Sequence, residues 1–121
     1  MSSLDIIHLI GQIIFGVYFI VSGFNHLTNI SGLAGYAASK KVPFPRLAVA
    51  FTGFLLLFGG LGILFAFEVR IAEILLLLFL IPTTFMMHNF WADKDPTAKM
   101  GSRINFQKNL ALIGAILILL V

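Results

Sequence analysis

Long apolar segments alternate with short polar ones along the whole chain. Three of these segments, Ile6–Leu27, Leu47–Phe67 and Ile71–Trp91, hold no acidic or basic side chain other than histidine, apart from Glu73. A helix rises about 1.5 Å per residue, so each segment is long enough to cross a hydrocarbon core of about 30 Å. A fourth segment, Ile104–Val121, reaches across if its polar start lies among the lipid headgroups. The pattern predicts an all-α fold, an integral membrane four-helix transmembrane bundle.

The connections between these segments refine the prediction. The turn at Glu68–Arg70 is so short that the second and third spans should pack as an antiparallel hairpin. Leu33–Ser39 is expected to form a short interfacial helix, and Ala92–Arg103 is expected to be a polar loop. Pro82 should kink the third span, with a nearby threonine hydroxyl relieving the freed carbonyls. Residues 1–121 are predicted to form a single domain.

Composition supports the membrane class and excludes several kinds of chemistry. Hydrophobic residues make up 60% of the chain and charged residues 11%, whereas soluble domains carry about 25% charged residues. The chain has no cysteine, which excludes disulfides, thiolate metal sites and thiol redox relays. Any redox chemistry would therefore use a bound cofactor. The first span lacks a basic n-region and a cleavage site, so it is interpreted as a retained helix rather than a signal peptide.

The basic residues are distributed unevenly between the two ends of the predicted bundle. Of the eight lysines and arginines, only Arg70 lies on the side that the two termini share. The other seven lie in or beside the longer connections, Thr28–Arg46 and Ala92–Arg103. The positive-inside rule then places both termini outside the cytoplasm, in a multi-pass protein of the inner (plasma) membrane. The net charge of +3 comes from these loops and does not indicate nucleic acid.

Polar side chains gather at the cytoplasmic ends of three predicted spans. Within each span they recur at helical spacing, as in Ser22, Asn25 and His26, so each group shares one helix face. Polar groups inside membranes normally face the bundle interior. We therefore expect a common pocket. Its predicted ligand-binding residues are Asn25, His26, His88, Asn89, Trp91, Asn105, Lys108 and Asn109.

Two histidines at matching depth on different helices suggest a bound cofactor. Neutral imidazole can hydrogen-bond a quinone carbonyl, and a pair of histidines can ligate haem iron. A quinone is favoured over haem, the ligand stays unknown, and no metal site is predicted. Structural roles are the alternative. Lys108 could extend to the headgroups, Trp91 could anchor at the interface, and the asparagines could bond across helices.

Several motifs resemble the DoxX family of small membrane proteins. They are SGFNHL (Ser22–Leu27), HNFW (His88–Trp91), FQKNLALIG (Phe106–Gly114) and the YAASKKVPFP stretch. The resemblance implies a four-helix membrane bundle. It also implies an oxidoreductase role, because the family takes its name from a subunit of a thiosulfate:quinone oxidoreductase.

The resemblance holds at some candidate residues and departs at others. His88, Asn89, Lys108 and Asn109 fall on the family's motifs. Many members carry lysine at the position of His26. Many members also carry glutamate where this chain has Leu56, and that difference removes an obvious proton acceptor.

Three functions are compatible with these features. The first is the membrane subunit of an oxidoreductase that binds a quinone-like lipophile in the polar pocket. The second is a non-catalytic membrane adaptor or assembly factor that docks a protein partner. The third, a small-molecule permease, ranks last because the pattern places no acid deep inside a span and predicts only four spans. No nucleophile, acid–base pair or cofactor motif indicates an enzyme, so catalysis stays open. The expected partners are the lipid bilayer and either another protein or a second copy of the chain.

Overall fold

Four long helices and one short one build the protein. The computed structural model describes residues 1–121 and contains no strand. The helices are α1 (Ser3–Thr28), α2 (Ile30–Ser39), α3 (Pro45–Leu64), α4 (Val69–Met87) and α5 (Pro96–Leu120), with a 3-10 turn at Phe90–Ala92. All except α2 are long and apolar enough to cross a membrane. The prediction of an all-α transmembrane bundle is confirmed. The short helix expected at Leu33–Ser39 is present as α2.

Helix α3 lies at the centre of the bundle. It packs along α1 on one side and α4 on the other, and α5 packs against α4. Glycines allow the close approach of α1 and α3: a Cβ atom built on Gly60 would lie 2.8 Å from the backbone nitrogen of Ile20. A Cβ atom built on Gly53, seven residues earlier, would lie 2.9 Å from the Cβ atom of His26. This pair of glycines therefore lets α1 and α3 pack closely.

One hydrophobic cluster joins all four spans. Phe19 comes from α1, and the remaining members are Leu56 and Ile63 of α3, Ala72, Leu76 and Leu80 of α4, and Ile113 and Ile116 of α5. By contrast, α1 and α5 make no extensive contact with each other. The bundle is therefore held together through α3 and α4, and the space between α1 and α5 is only partly filled.

The expectation of a polar loop over Ala92–Arg103 is wrong. Helix α5 begins at Pro96, because the Asp95 side chain accepts a hydrogen bond of 2.9 Å from the backbone N–H of Ala98 and caps the helix. Proline is well suited to the first helical position, where its missing N–H costs nothing. As a result Lys108 lies about three turns inside α5, rather than in its first turns.

Helix α4 continues through Pro82. The proline removes the hydrogen bond to the carbonyl of Leu78. The Thr84 hydroxyl donates to the carbonyl of Leu80, so this threonine does not relieve the carbonyl that the proline frees. The helix ends at Met87, and His88 has left helical geometry. This end, four residues earlier than Trp91, decides where the HNFW side chains lie.

Candidate functional site

A cavity of about 390 Å³ lies among the spans, at the end of the bundle that carries α2 and the 3-10 turn. We call this the basic end, because most lysines and arginines belong to it, and we call the cavity the membrane cavity. All five helices contribute to its lining. Its walls are mainly apolar and include Phe19, Leu56, Phe79 and Leu80. The volume is within the range of small-ligand sites.

Four of the eight predicted residues meet in the membrane cavity. His26 comes from α1, His88 from the residue after α4, and Lys108 and Asn109 from α5. The expectation that imidazole, amide and ammonium groups from separate spans share one cavity is thus met for these four. Whether they bind a ligand stays a prediction.

The other four lie elsewhere. Asn89 and Asn105 line a second pocket, described below. Asn25 and Trp91 line neither pocket, and both are exposed. Asn25 points away because α1 turns the face of Gly16 and Gly23 toward α3.

Trp91 was predicted to share one helix face with His88. That prediction is wrong, because α4 ends at Met87, before both residues. Trp91 is 55% exposed and packs edge-on against Phe106.

Several hydroxyl groups of the cavity are already bonded to the backbone. Ser22 donates to the carbonyl of Tyr18 at 2.9 Å, and Thr52 donates to that of Ala48 at 2.7 Å. Tyr36 donates to the carbonyl of Met87 at 3.2 Å. These groups are therefore satisfied within the chain. The nitrogen-bearing groups left to meet a ligand are His26 Nε2, the His88 ring, the Lys108 ammonium and the Asn109 carboxamide. The hydroxyls of Tyr18 and Thr83 also line the cavity and form no hydrogen bond within the chain.

His26 presents one defined nitrogen to the cavity. Its Nδ1 lies 2.9 Å from the carbonyl oxygen of Ser22. A carbonyl oxygen only accepts, so the proton of the ring must lie on Nδ1. In the neutral ring Nε2 then carries a lone pair and acts as an acceptor. Phe79 packs edge-on against the ring, with centroids 5.4 Å apart, and helps to fix its orientation.

His88, Lys108 and Asn109 have free hydrogen-bonding capacity. The Nδ1 atom of His88 is buried and has no hydrogen-bond partner. Asn109 is 4% exposed, and its carboxamide forms no hydrogen bond within the chain. The Lys108 ammonium lies 5.8 Å from the centre of the Tyr18 ring, which is a cation–π distance. That contact spans the gap between α5 and α1. Buried polar groups are normally paired, so His88 and Asn109 are the strongest indication of a ligand. The exposed Lys108 lines the same cavity beside them.

The second pocket is polar, measures about 740 Å³ and lies at the basic end. We call it the polar pocket. Lys40 organises it: the ammonium donates to Asn89 Oδ1 at 2.8 Å and forms a salt bridge of 3.0 Å with Asp93 Oδ1. The nearby Ser102 hydroxyl, and then the Lys40 ammonium, hold the pKa of the Asp93 carboxyl below its ordinary value. No hydrogen bond of normal geometry reaches Asp93 Oδ2, which is enclosed.

The Lys40–Asp93 pair should weaken in acid. The folded-state pKa of Asp93 is lowered, so the stabilisation it gives is complete above the ordinary value of 3.8 and is lost as pH falls through the folded value. Below about pH 4 we expect the chain around the 3-10 turn to loosen. Trp91 is the only tryptophan and lies two residues away, so its fluorescence should report the change. An Asp93→Asn variant should show no such transition, and an identical acid transition in that variant would contradict the assignment.

Glu73 is a buried acid that lies near one end of its span, as the sequence indicates. In the structure Glu73 is in the second turn of α4 and only 4% exposed. Its Oε2 atom has no hydrogen-bond partner. An acid is therefore enclosed within a span, although far along α4 from the membrane cavity.

Sequence reasoning also missed Tyr36, Lys40 and Asp93. The contacts of these side chains join residues about fifty positions apart, such as Tyr36 with Met87 and Lys40 with Asp93. Nothing in local spacing indicates such pairs. The sequence contains one indication that Lys40 and Asp93 could meet: they lie in the two connections that are expected at the same end of the bundle.

Comparison with known proteins found matches over most of the chain. The sequence model of the DoxX family matches residues 7–89, which include α1 to α4 and both histidines of the cavity. No solved structure matches the chain.

Two curated relatives come from Escherichia coli (strain K12). Inner membrane protein YphA is 30% identical over 111 residues, which cover 92% of this chain and 79% of the relative. Inner membrane protein YqjF is 30% identical over 116 residues, covering 95% of this chain and 82% of the relative. With four apolar spans, a family match over most of its length and these relatives, the chain is a multi-pass membrane protein that belongs to the DoxX family.

Proposed function

We propose that the protein binds a quinone-like lipophile in the membrane cavity and serves as the membrane subunit of an oxidoreductase. The observation that carries this proposal is the buried, unpartnered Nδ1 of His88, in one cavity with Lys108 and Asn109. All three can donate a hydrogen bond. A flat ring with carbonyl oxygens fits this arrangement, since it needs apolar walls around its body and donors at its oxygens.

The membrane cavity also offers an acceptor. Neutral His26 presents the lone pair of Nε2, because its Nδ1 is bonded to the Ser22 carbonyl. His88 and Lys108 can donate to the carbonyls of the oxidised ring, whereas His26 can accept from a hydroxyl of the reduced ring. A bound quinone would supply two-electron, two-proton chemistry. The residues of this chain would bind and orient its head, and Phe79 and Leu80 would exclude water from it.

Direct titration tests the proposal. Purified protein in mild detergent should bind menadione saturably, with one site per chain. An aromatic control of the same shape without carbonyl oxygens, 2-methylnaphthalene, should bind at least about tenfold more weakly, because the buried donors would stay unpaired. Equal binding of both compounds, or no saturable binding of menadione, would contradict the proposal. A Soret band after reconstitution with haemin would assign the two histidines to haem instead.

The protein-docking alternative is favoured by one observation, the concentration of cations at the basic end. Arg46 bonds the Ser31 hydroxyl at 3.0 Å, and Arg103 lies 5.1 Å from the centre of the Phe90 ring. Both are at the surface and could meet an acidic partner. A His88→Ala variant separates the two functions. Full cellular function in that variant would favour a docking role over a ligand-binding one.

The basic end should face the cytoplasm of an inner-membrane protein. The two relatives carry inner membrane protein in their names, and the uneven distribution of lysine and arginine follows the positive-inside rule. Alkaline phosphatase, which is active only outside the cytoplasm, should therefore be active when fused after Val121. The same enzyme inserted between Lys94 and Asp95 should be inactive. The opposite pattern would reverse the orientation.

A further inference from the structure

The membrane cavity and the polar pocket share one wall. Tyr36 lines both of them. Its hydroxyl donates to the carbonyl of Met87, which fixes the ring against the end of α4. The chain then crosses from one side to the other: Met87 and His88 line the membrane cavity, and Asn89 lines the polar pocket. Tyr36 and this short stretch of backbone therefore lie at the boundary of the two spaces.

The polar pocket is suited to hold water. It is roomy, and its lining offers the Lys40 ammonium, the Asn89 and Asn105 amides and the Ser102 hydroxyl. The enclosed Asp93 Oδ2 forms no hydrogen bond of normal geometry within the chain, although the Ser102 hydroxyl lies near this carboxyl. Water occupies such sites when several polar partners are present. Water can therefore approach the wall from the basic end, while the other side of the wall is mainly apolar.

His88 is the group best placed to act across this wall. It is titratable, it adjoins Asn89 in the chain, and its Nδ1 makes no bond. His26 also lines the membrane cavity, but its Nδ1 is held by a carbonyl. The charged groups that act on His88 are Lys108 of α5 and Lys40 after α2. Asp93 pairs with Lys40, and α3 adds no charged group to the cavity lining.

We propose that His88 transfers protons between water in the polar pocket and the head of the ligand in the membrane cavity. The inference rests on the proposed function. When a two-electron reductant reduces the bound ring, the His88 imidazolium gives one proton to a reduced ring oxygen and becomes neutral. It then takes one proton from a hydronium ion in the polar pocket. One proton enters for each proton delivered. Tyr36 is the partition that admits this exchange while it keeps bulk water from the apolar cavity.

Access to His88 can be measured without any ligand. The natural chain has no cysteine, so a His88→Cys variant in nanodiscs carries one thiol for a charged, water-soluble methanethiosulfonate reagent. We expect this thiol to react from water, more slowly than Asn89→Cys and much faster than Leu56→Cys, which lies in the apolar wall. Adding Tyr36→Ala should speed the reaction of the thiol at position 88 several-fold. Adding Tyr36→Phe, which keeps the ring, should not.

The proton role has a separate kinetic test. Menadione bound to the protein is reduced by dithionite, which supplies two electrons and is oxidised to sulfite, while the protons come from water. His88→Gln keeps a hydrogen-bond donor but cannot titrate. Its affinity for menadione should fall less than about tenfold, whereas the reduction rate should fall about 100-fold and lose its dependence on pH.

The outcomes separate the two proposals. A thiol at position 88 that reacts no faster than one at position 56 overturns the access route, whether or not menadione binds. Normal binding with an unchanged reduction rate in His88→Gln overturns the proton role and leaves the proposed function standing. Absence of menadione binding overturns the proposed function and the proton role that rests on it.

Discussion

Replacing Gly23 with valine should remove most of the folded protein at temperatures at which the natural chain is intact. A Cβ atom at this position would lie 2.7 Å from the backbone nitrogen of Leu57 and 2.8 Å from the carbonyl oxygen of Gly53. Both are backbone atoms of α3 and cannot rotate away. The helices must separate, which also breaks the packing of Phe19 in the core. Overpacking of this kind costs about 3 kcal/mol, or about 100-fold in the folded-to-unfolded ratio.

The matched control lies on the same helix. No atom comes within 4 Å of a Cβ atom built on Gly11, so Gly11→Val adds the same side chain in open space. The measurement is the temperature at which half of the detergent-solubilised protein is lost from the monodisperse peak in size-exclusion chromatography. A fall for Gly23→Val with little change for Gly11→Val is expected. Equal falls would show that valine in this helix is harmful wherever it lies, and the packing argument would fail.

The helices were largely predictable from the sequence because a bilayer imposes a simple condition. A span needs an uncharged apolar segment of sufficient length, and α1, α3 and α4 satisfy it clearly. The start of α5 was missed because hydropathy does not register capping. Asp95 and Pro96 begin a helix whose first two turns lack a continuous apolar run.

The candidate site was predictable only as far as helix geometry extends. Helical spacing placed His26, Lys108 and Asn109 on faces that line the membrane cavity, although Lys108 itself is exposed. It failed at Trp91, because the helix that should carry it ends at Met87. Helical spacing could not predict the wall between the two pockets, because it carries no information on contacts between distant segments. The key contact of this wall joins Tyr36 to Met87, two residues brought together only when α2 folds back under the spans.

Replacing Lys108 with methionine should weaken menadione binding by about 10- to 100-fold. Methionine keeps an unbranched apolar chain of similar length, so it removes the charge while it preserves much of the packing. Hydrogen bonds from charged groups contribute about 1.5–3 kcal/mol, which sets the size of the loss. Asn109→Leu replaces the carboxamide, a neutral hydrogen-bond donor, with an apolar side chain of similar shape. This change should weaken menadione binding about tenfold. Affinity is measured by titration of each purified variant.

The control for Lys108→Met is Gln107→Met. Gln107 is the preceding residue of α5, is exposed, and lines neither pocket, so its replacement tests the effect of a new methionine on the helix alone. Lys108 also contacts the Tyr18 ring, and its loss could widen the gap between α1 and α5. A Tyr18→Leu variant removes that contact and leaves the ammonium in place. If Tyr18→Leu reproduces the full loss of affinity, Lys108 acts by holding the two helices together. If affinity falls only with Lys108→Met, the ammonium itself contacts the head of the ligand.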